Sequence, residues 1–165
     1  MKFSLSSWNT VGGPGFSGVA VYSTSIATDS TGTPYIAYRD TASAATVMKY
    51  DSGSMNWVNF GNATSILGNN VQQISLACSR AASTKDSLYV GFVRQVSFSP
   101  PTYSVSVIKF NGTSWEFVGG QDFYIETNMY GLSFLQLAIA PNDGTLYVSI
   151  QGGGFSGVTR VMSFQ

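Results

Sequence analysis

Apolar residues recur along this chain in short alternating runs, each broken by Gly, Asn, Asp or Pro. Ser25-Ile26-Ala27-Thr28, Ser75-Leu76-Ala77-Cys78 and Gln136-Leu137-Ala138-Ile139 form one such set. A turn follows the first and third, Asp29-Ser30-Thr31-Gly32 and Asn142-Asp143-Gly144, built from residues that accept positive φ. The chain then returns through Thr33-Pro34-Tyr35-Ile36-Ala37-Tyr38, Ser87-Leu88-Tyr89-Val90-Gly91-Phe92 and Thr145-Leu146-Tyr147-Val148-Ser149-Ile150. Alternation with β-branched and aromatic residues predicts strands. No segment carries a convincing helical period, so the expected fold class is all-β.

Two further sets complete a repeat. Thr46-Val47-Met48-Lys49-Tyr50, Ser106-Val107-Ile108-Lys109-Phe110 and Arg160-Val161-Met162-Ser163-Phe164 form the third strand. Trp8-Asn9-Thr10-Val11-Gly12, Trp57-Val58-Asn59-Phe60-Gly61 and Trp115-Glu116-Phe117-Val118-Gly119 share W-x-x-(V/F)-G, spaced 49 and then 58 residues apart. Four short strands per repeat of roughly 50 residues is the pattern of a β-propeller blade. The chain therefore reads as one domain over 1–165, with repeats at 1–47, 48–107 and 108–165.

The combination of I-A-x-D-x-x-G-T-x-Y-(I/V)-A with V-M-K-Y/F and W-x-x-V-G resembles the NHL-like and kelch-like families of propeller repeats. That resemblance implies a β-propeller with four-stranded blades. The second repeat departs from the motif, since Ser79 to Asp86 is a longer, charged turn without the Gly. The third repeat lacks a Trp strand, whereas Trp8 belongs to a Trp strand with no blade before it. Rings of this kind have about four to eight blades. Two copies closing a six-bladed ring as a homodimer is therefore expected, with Trp8 of each finishing the third blade of the other. The competing reading is a piece of a longer array, since Met1-Lys2-Phe3 matches Met48-Lys49-Tyr50.

Composition narrows the function. Charged residues are 10% of the chain, against about 25% in an average domain. The eight basic and eight acidic residues cancel without any like-charge run, which argues against nucleic acid as a partner. The longest apolar stretches, such as Leu135 to Ala140, are far shorter than the roughly 20 residues of a membrane span. MKFSLSSW lacks the apolar core of a signal peptide, and a secreted or cell-surface setting is only slightly favoured, the compartment staying open. The single Cys78 allows no intrachain disulfide and reads as a buried core thiol. There is no histidine, which removes Ser/His/Asp triads and nearly all zinc sites. With the carboxylates scattered, no catalytic residue, metal or cofactor is expected.

The candidate site lies in connections. Those entering the first strand of each repeat and those joining its second and third strands must emerge on one common face by strand alternation, and scaffolded β folds carry function on such loops. Phe16, Arg39, Asp40, Arg94, Phe98, Phe123, Tyr124 and Phe155 are the expected ligand-binding residues. The partner would be a glycan or a protein. Phe16 and Phe155 belong to two copies of GFSGV, at Gly15 to Val19 and Gly154 to Val158, which are not equivalent repeat positions yet project from the same face. The recurring tryptophans read as packing between blades, and the Gly-rich pieces lack the G-K-(S/T) and helix of a phosphate loop. Two alternatives stand beside a binding module: a structural repeat segment of a larger surface or adhesive protein, and a sialidase-like glycosidase using Arg39 and Arg94 with Asp40 and Tyr38. The last is weakened by Gln151 near the third equivalent position.

Overall fold

The computed structural model describes residues 9–79, 86–152 and 157–165, so that Trp8, the charged turn over 80–85 and Phe155 lie outside the described residues. Strands β1 (Val21–Thr28), β2 (Pro34–Asp40), β3 (Ala45–Asp51) and β4 (Asn56–Asn59) form an antiparallel meander in chain order. One helical turn, α1 (Thr64–Leu67), leads to β5 (Val71–Ser79), β6 (Ser87–Phe98), β7 (Pro101–Phe110) and β8 (Trp115–Phe117), which repeat the meander. A short strand, β9 (Tyr124–Thr127), pairs with the early part of β7, making this second sheet five-stranded. β10 (Leu132–Ile139), β11 (Leu146–Gly152) and β12 (Thr159–Phe164) form a third sheet of three strands. The molecule is all-β, three antiparallel sheets packed in a row.

Two segments expected as loops are ordered elements. β9 carries only four residues, too few for periodicity to register, and it forms because β7 extends back to Pro101 and offers Thr102 to Val105 as a free edge. α1 is fixed by its flanks, since Ala63 and Leu67 are buried in the core beneath it and the amides of Ile66 and Leu67 both donate to the Ala63 carbonyl. Asx-type turns close the hairpins. The Asp29 carboxylate accepts from the amides of Thr31 and Thr33 at 3.0 and 2.9 Å, and Asn111 does the same for Thr113 and Ser114.

Pairing registers are equivalent in all three sheets. Tyr35 faces Lys49, Tyr89 faces Lys109 and Tyr147 faces Ser163, so each second strand meets its third at the same repeat position. Alternation then gives every sheet two apolar faces. Tyr35, Ala37 and Val47 of the first sheet meet Leu76, Val90 and Ile108 of the second in one buried cluster. Val93, Val105 and Val107, from the opposite face of the second sheet, meet Leu135, Val148 and Ile150 of the third. Full burial of each such side chain contributes about 1.5–3 kcal/mol, so these two junctions are the core.

The junctions have a polar seam as well. β1 lies beside β5, and β5 beside β10. The Ser25 hydroxyl accepts from the Leu76 amide at 2.9 Å, and the Ser75 hydroxyl accepts from the Leu137 amide at 3.0 Å. Ser23 adds a third such bond, from Ile74 at 3.0 Å. Each bond satisfies an outward amide on a strand at the edge of its sheet, a group that would otherwise be buried unpaired at a cost of about 1–3 kcal/mol.

At the outer ends of the junctions the W-x-x-(V/F)-G glycine does the packing. Gly61 leans on Trp115 and Phe110 of the next sheet, as Gly12 leans on Trp57 and Tyr50. A methyl group at Gly61 would stand 2.6 Å from Trp115 Nε1, and its φ of +64° is left-handed. Gly144 shares the φ, +76°, but has open space around it. Gly144→Ala should therefore cost about 1–2 kcal/mol, the left-handed backbone alone, whereas Gly61→Ala should add about 1–3 kcal/mol of overpacking. Urea unfolding of the two variants beside the parent checks this, and equal midpoints would remove the packing role from Gly61.

Candidate functional site

The turns between β2 and β3 and between β6 and β7, with the end of β11, lie at the same end of the sheets as the starts of β1, β5 and β10. Backbone bonds tie them together there: the Val71 amide donates to the Ser43 carbonyl at 3.1 Å and that of Gln95 to the Asn70 carbonyl at 3.0 Å. Arg39 ends β2, with its guanidinium 5.0 Å above the Tyr22 ring and Nη1 donating to Ser43 Oγ at 3.3 Å. Asp40 closes the following turn. Its carboxylate accepts from the amides of Ala42 and Ala44 at 2.8 and 2.9 Å.

Arg94, which by pairing register is the β6 counterpart of Asp40 and not of Arg39, is bound differently. Its Nη2 lies 2.6 Å from Asp122 Oδ2 in a part-buried ion pair. Asp122 also accepts from Ser106 Oγ at 3.1 Å, while its own amide donates to that same hydroxyl at 2.8 Å. Burial works to raise the Asp122 pKa, but the Arg94 guanidinium and the Ser106 hydroxyl outweigh it and hold the carboxyl below its ordinary value. The pair clamps the connection after β8 onto the sheet.

Phe98, Phe123 and Tyr124 lie along the same end, whereas Phe16, expected there too, does not. Phe98 is exposed at the tip of the β6–β7 hairpin, beside a cis peptide bond between Ser99 and Pro100. Phe123 is half-buried and packs against the second core cluster, which makes it a support. Tyr124 opens β9, and its hydroxyl donates to Glu126 Oε2 at 2.6 Å. Burial, then the Glu126 carboxylate, push that phenol up. Phe16 stacks on Trp57 with ring centroids 4.9 Å apart, away from the arginine groups and over the outer part of the first sheet. Phe155 lies outside the described residues.

Arg160 joins this end without having been expected. Its guanidinium sits 5.6 Å over the Tyr124 ring and 3.9 Å from Glu126, which also accepts from Asn128 Nδ2 at 2.8 Å. The signal was in the repeat, because Arg160 stands where the equivalent positions carry Thr46 and Ser106, small hydroxyl residues. Cys78 is half-buried beside the first core cluster instead of fully enclosed, since β5 has no strand on its outer side at that end. Trp115 packs in the first junction between two sheets, whereas Trp57 packs against Gly12 and Phe16 of the segment before β1 and not against another sheet.

The arrangement is a rim, not a cavity. It offers aromatic faces at Tyr22, Phe98 and Tyr124 and guanidinium donors at Arg39, Arg94 and Arg160, with the carboxylates already engaged by internal donors. Among the described residues no group of three His, Cys, Asp or Glu side chains is placed to hold a metal ion. No helix there is long and apolar enough to cross a membrane. A cleft of about 580 Å³ lies elsewhere, between the second and third sheets against Tyr89, Phe117, Gly119 and Phe164. The chain matches no protein-family model and has no significant counterpart among curated proteins.

A carboxyl held low in the folded state stabilises above its unfolded pKa, near 3.9, and that contribution is lost as pH falls through the folded value. Asp122→Ala should therefore lower stability by about 1.5–3 kcal/mol at pH 7, the value of hydrogen bonds to a charged group. The gap between parent and variant should narrow below about pH 4. Urea titrations at pH 7 and pH 3 test the sign, and a gap that widens in acid would refute it.

Proposed function

We propose that this chain is a non-catalytic interaction module of β-propeller type, whose three sheets are blades and whose loop rim meets a glycan or a protein partner. The observation that carries the reading is the gathering of Tyr22 with Arg39, Arg94 with Asp122, and Tyr124 with Glu126 and Arg160 at one end of three equivalent sheets. Stacked aromatic and guanidinium groups suit sugar rings and polar protein surfaces alike. Function on loops held by a rigid sheet scaffold is the ordinary arrangement. Six blades, and hence two copies of the chain, would close a ring of the usual size.

Catalysis has less support. The sequence contains no histidine, and the two arginines that a sialidase-like site would share are committed to different partners, Tyr22 and Asp122. A structural repeat segment of a larger surface protein is the second reading. It is favoured by the internal use of the rim's carboxylates, Asp40 in its turn and Asp122 in its clamp.

Binding to a glycan array should give a restricted set of positive sugars. Phe98→Ala and Arg160→Ala, both at exposed side chains, should weaken that binding about tenfold or more, a loss of at least about 1.4 kcal/mol, without changing the thermal unfolding midpoint. Uniform silence on the array, with no protein ligand captured by the rim, would favour the structural segment instead.

A further inference from the structure

The first and third sheets each end the row with one uncovered face, and the two faces are the halves of a junction the molecule already makes twice. On the third sheet the uncovered face carries Tyr147, Ser149 and Val161. Pairing register makes these the counterparts of Tyr35, Ala37 and Val47 and of Tyr89, Gly91 and Val107. Val47 and Val107 are 2% and 1% exposed at their junctions, whereas Val161 is 67% exposed. On the first sheet the outward face carries the exposed Ile26 and the half-buried Ile36, the counterparts of Leu76 and Val90, beside Met48, which is already buried against Tyr38. Leu76 is 6% exposed and Ile26 is 65% exposed.

The edge of β12 shows the same incompleteness. β3 and β7 each carry a Trp-bearing fourth strand on their outer side, with Tyr50 opposite Trp57 and Phe110 opposite Trp115. Beyond those pairs the Phe60 amide donates to the Val47 carbonyl and the Val118 amide to the Val107 carbonyl, both at 2.9 Å. β12 has no such strand among the described residues. Gly119 leans on Phe164 alone, where Gly61 leans on both Phe110 and Trp115, and the cleft of about 580 Å³ opens beside that glycine. The sequence also holds one W-x-x-V-G segment, Trp8 to Gly12, whose described residues form no strand. Its Gly12 already sits on Trp57 and Tyr50 as a preceding sheet's glycine would.

We infer that the third sheet of one copy docks on the first sheet of a second copy, which lays its Trp8–Gly12 segment antiparallel along β12. This rests on the reading of the three sheets as propeller blades and specifies its junction. The register follows from the two existing copies: Trp8 opposite Phe164, Asn9 opposite Ser163, Thr10 opposite Met162, and the Val11 amide donating to the Val161 carbonyl. Tyr147, Ser149 and Val161 then cover Ile26 and Ile36. The contact is head-to-tail, and it closes on itself when the rotation per sheet is about one sixth of a turn.

Two measurements on the full chain test this. Asn9→Cys and Ser163→Cys, both at exposed positions, are placed in one chain, where a paired register sets the Cα atoms about 5.5 Å apart, within disulfide reach. Mild oxidation should give a covalent dimer, while Thr10→Cys with Ser163→Cys, on opposite strand faces, should not. Separately, Val161→Lys should leave the circular dichroism of the chain unchanged and weaken dimerisation about tenfold or more in sedimentation, because it places an unpaired ammonium in the junction. A crosslinked chain that sediments as longer head-to-tail oligomers supports the junction and overturns only the closed six-sheet ring. A dimer that survives Val161→Lys and fails to crosslink in register overturns the junction and leaves a two-copy ring to other surfaces. A chain that is monomeric and uncrosslinked overturns both, as does a crosslink formed within one chain.

Discussion

The structure depends on one constraint: a small antiparallel sheet with two apolar faces cannot bury either of them alone. A sheet of four short strands gains a core only when another sheet of the same kind lies on it. Here the solution is repeated with the same parts. A tyrosine, a small residue and a valine on one face receive aliphatic side chains from the next sheet. The small residue sets the approach, since Leu137 rests directly over Gly91 where a side chain would stand in its way. Each inner strand then comes close enough to its neighbour for a serine hydroxyl to reach a backbone amide.

That constraint also explains where the polar chemistry collects. Residues within the junctions are committed to apolar contact, and the hairpins at the far end are closed by Asx-type turns that occupy their carboxylates. The other end carries Arg39 and Arg94 on the second strands of the first two sheets and Arg160 on the third strand of the last. Each guanidinium meets a different local partner, Tyr22, Asp122 or Tyr124 with Glu126. The fold gathers these side chains at one end of the sheets, although they stand at different positions of the repeat. A surface of this kind can be varied sheet by sheet without disturbing the packing below.

The strands were legible in the sequence because alternation with a period of two survives in every repeat, and W-x-x-(V/F)-G marks the fourth strands of the first two sheets. Residues whose role is set by pairing with a distant segment were not legible. β9 exists because β7 overshoots its partner strands, and four residues of Tyr124-Ile125-Glu126-Thr127 give no signal of that. Asp122 looked like one loop carboxylate among several, and only the fold brings it to Arg94, 28 residues earlier in the chain. Arg160 was hidden for the opposite reason. It lies inside a strand whose apolar pattern drew attention, and its departure from Thr46 and Ser106 shows only when the repeats are superposed.

The serine hydroxyls that bridge the inner strands also bear on solubility. β5 and β10 are edge strands, and an edge strand with free amides recruits other chains into mixed sheets and fibrils. Ser23, Ser25 and Ser75 occupy amides on those two edges with a side chain, which cannot propagate a ladder. The serines that join neighbouring sheets thus also shield two of their edges from aggregation.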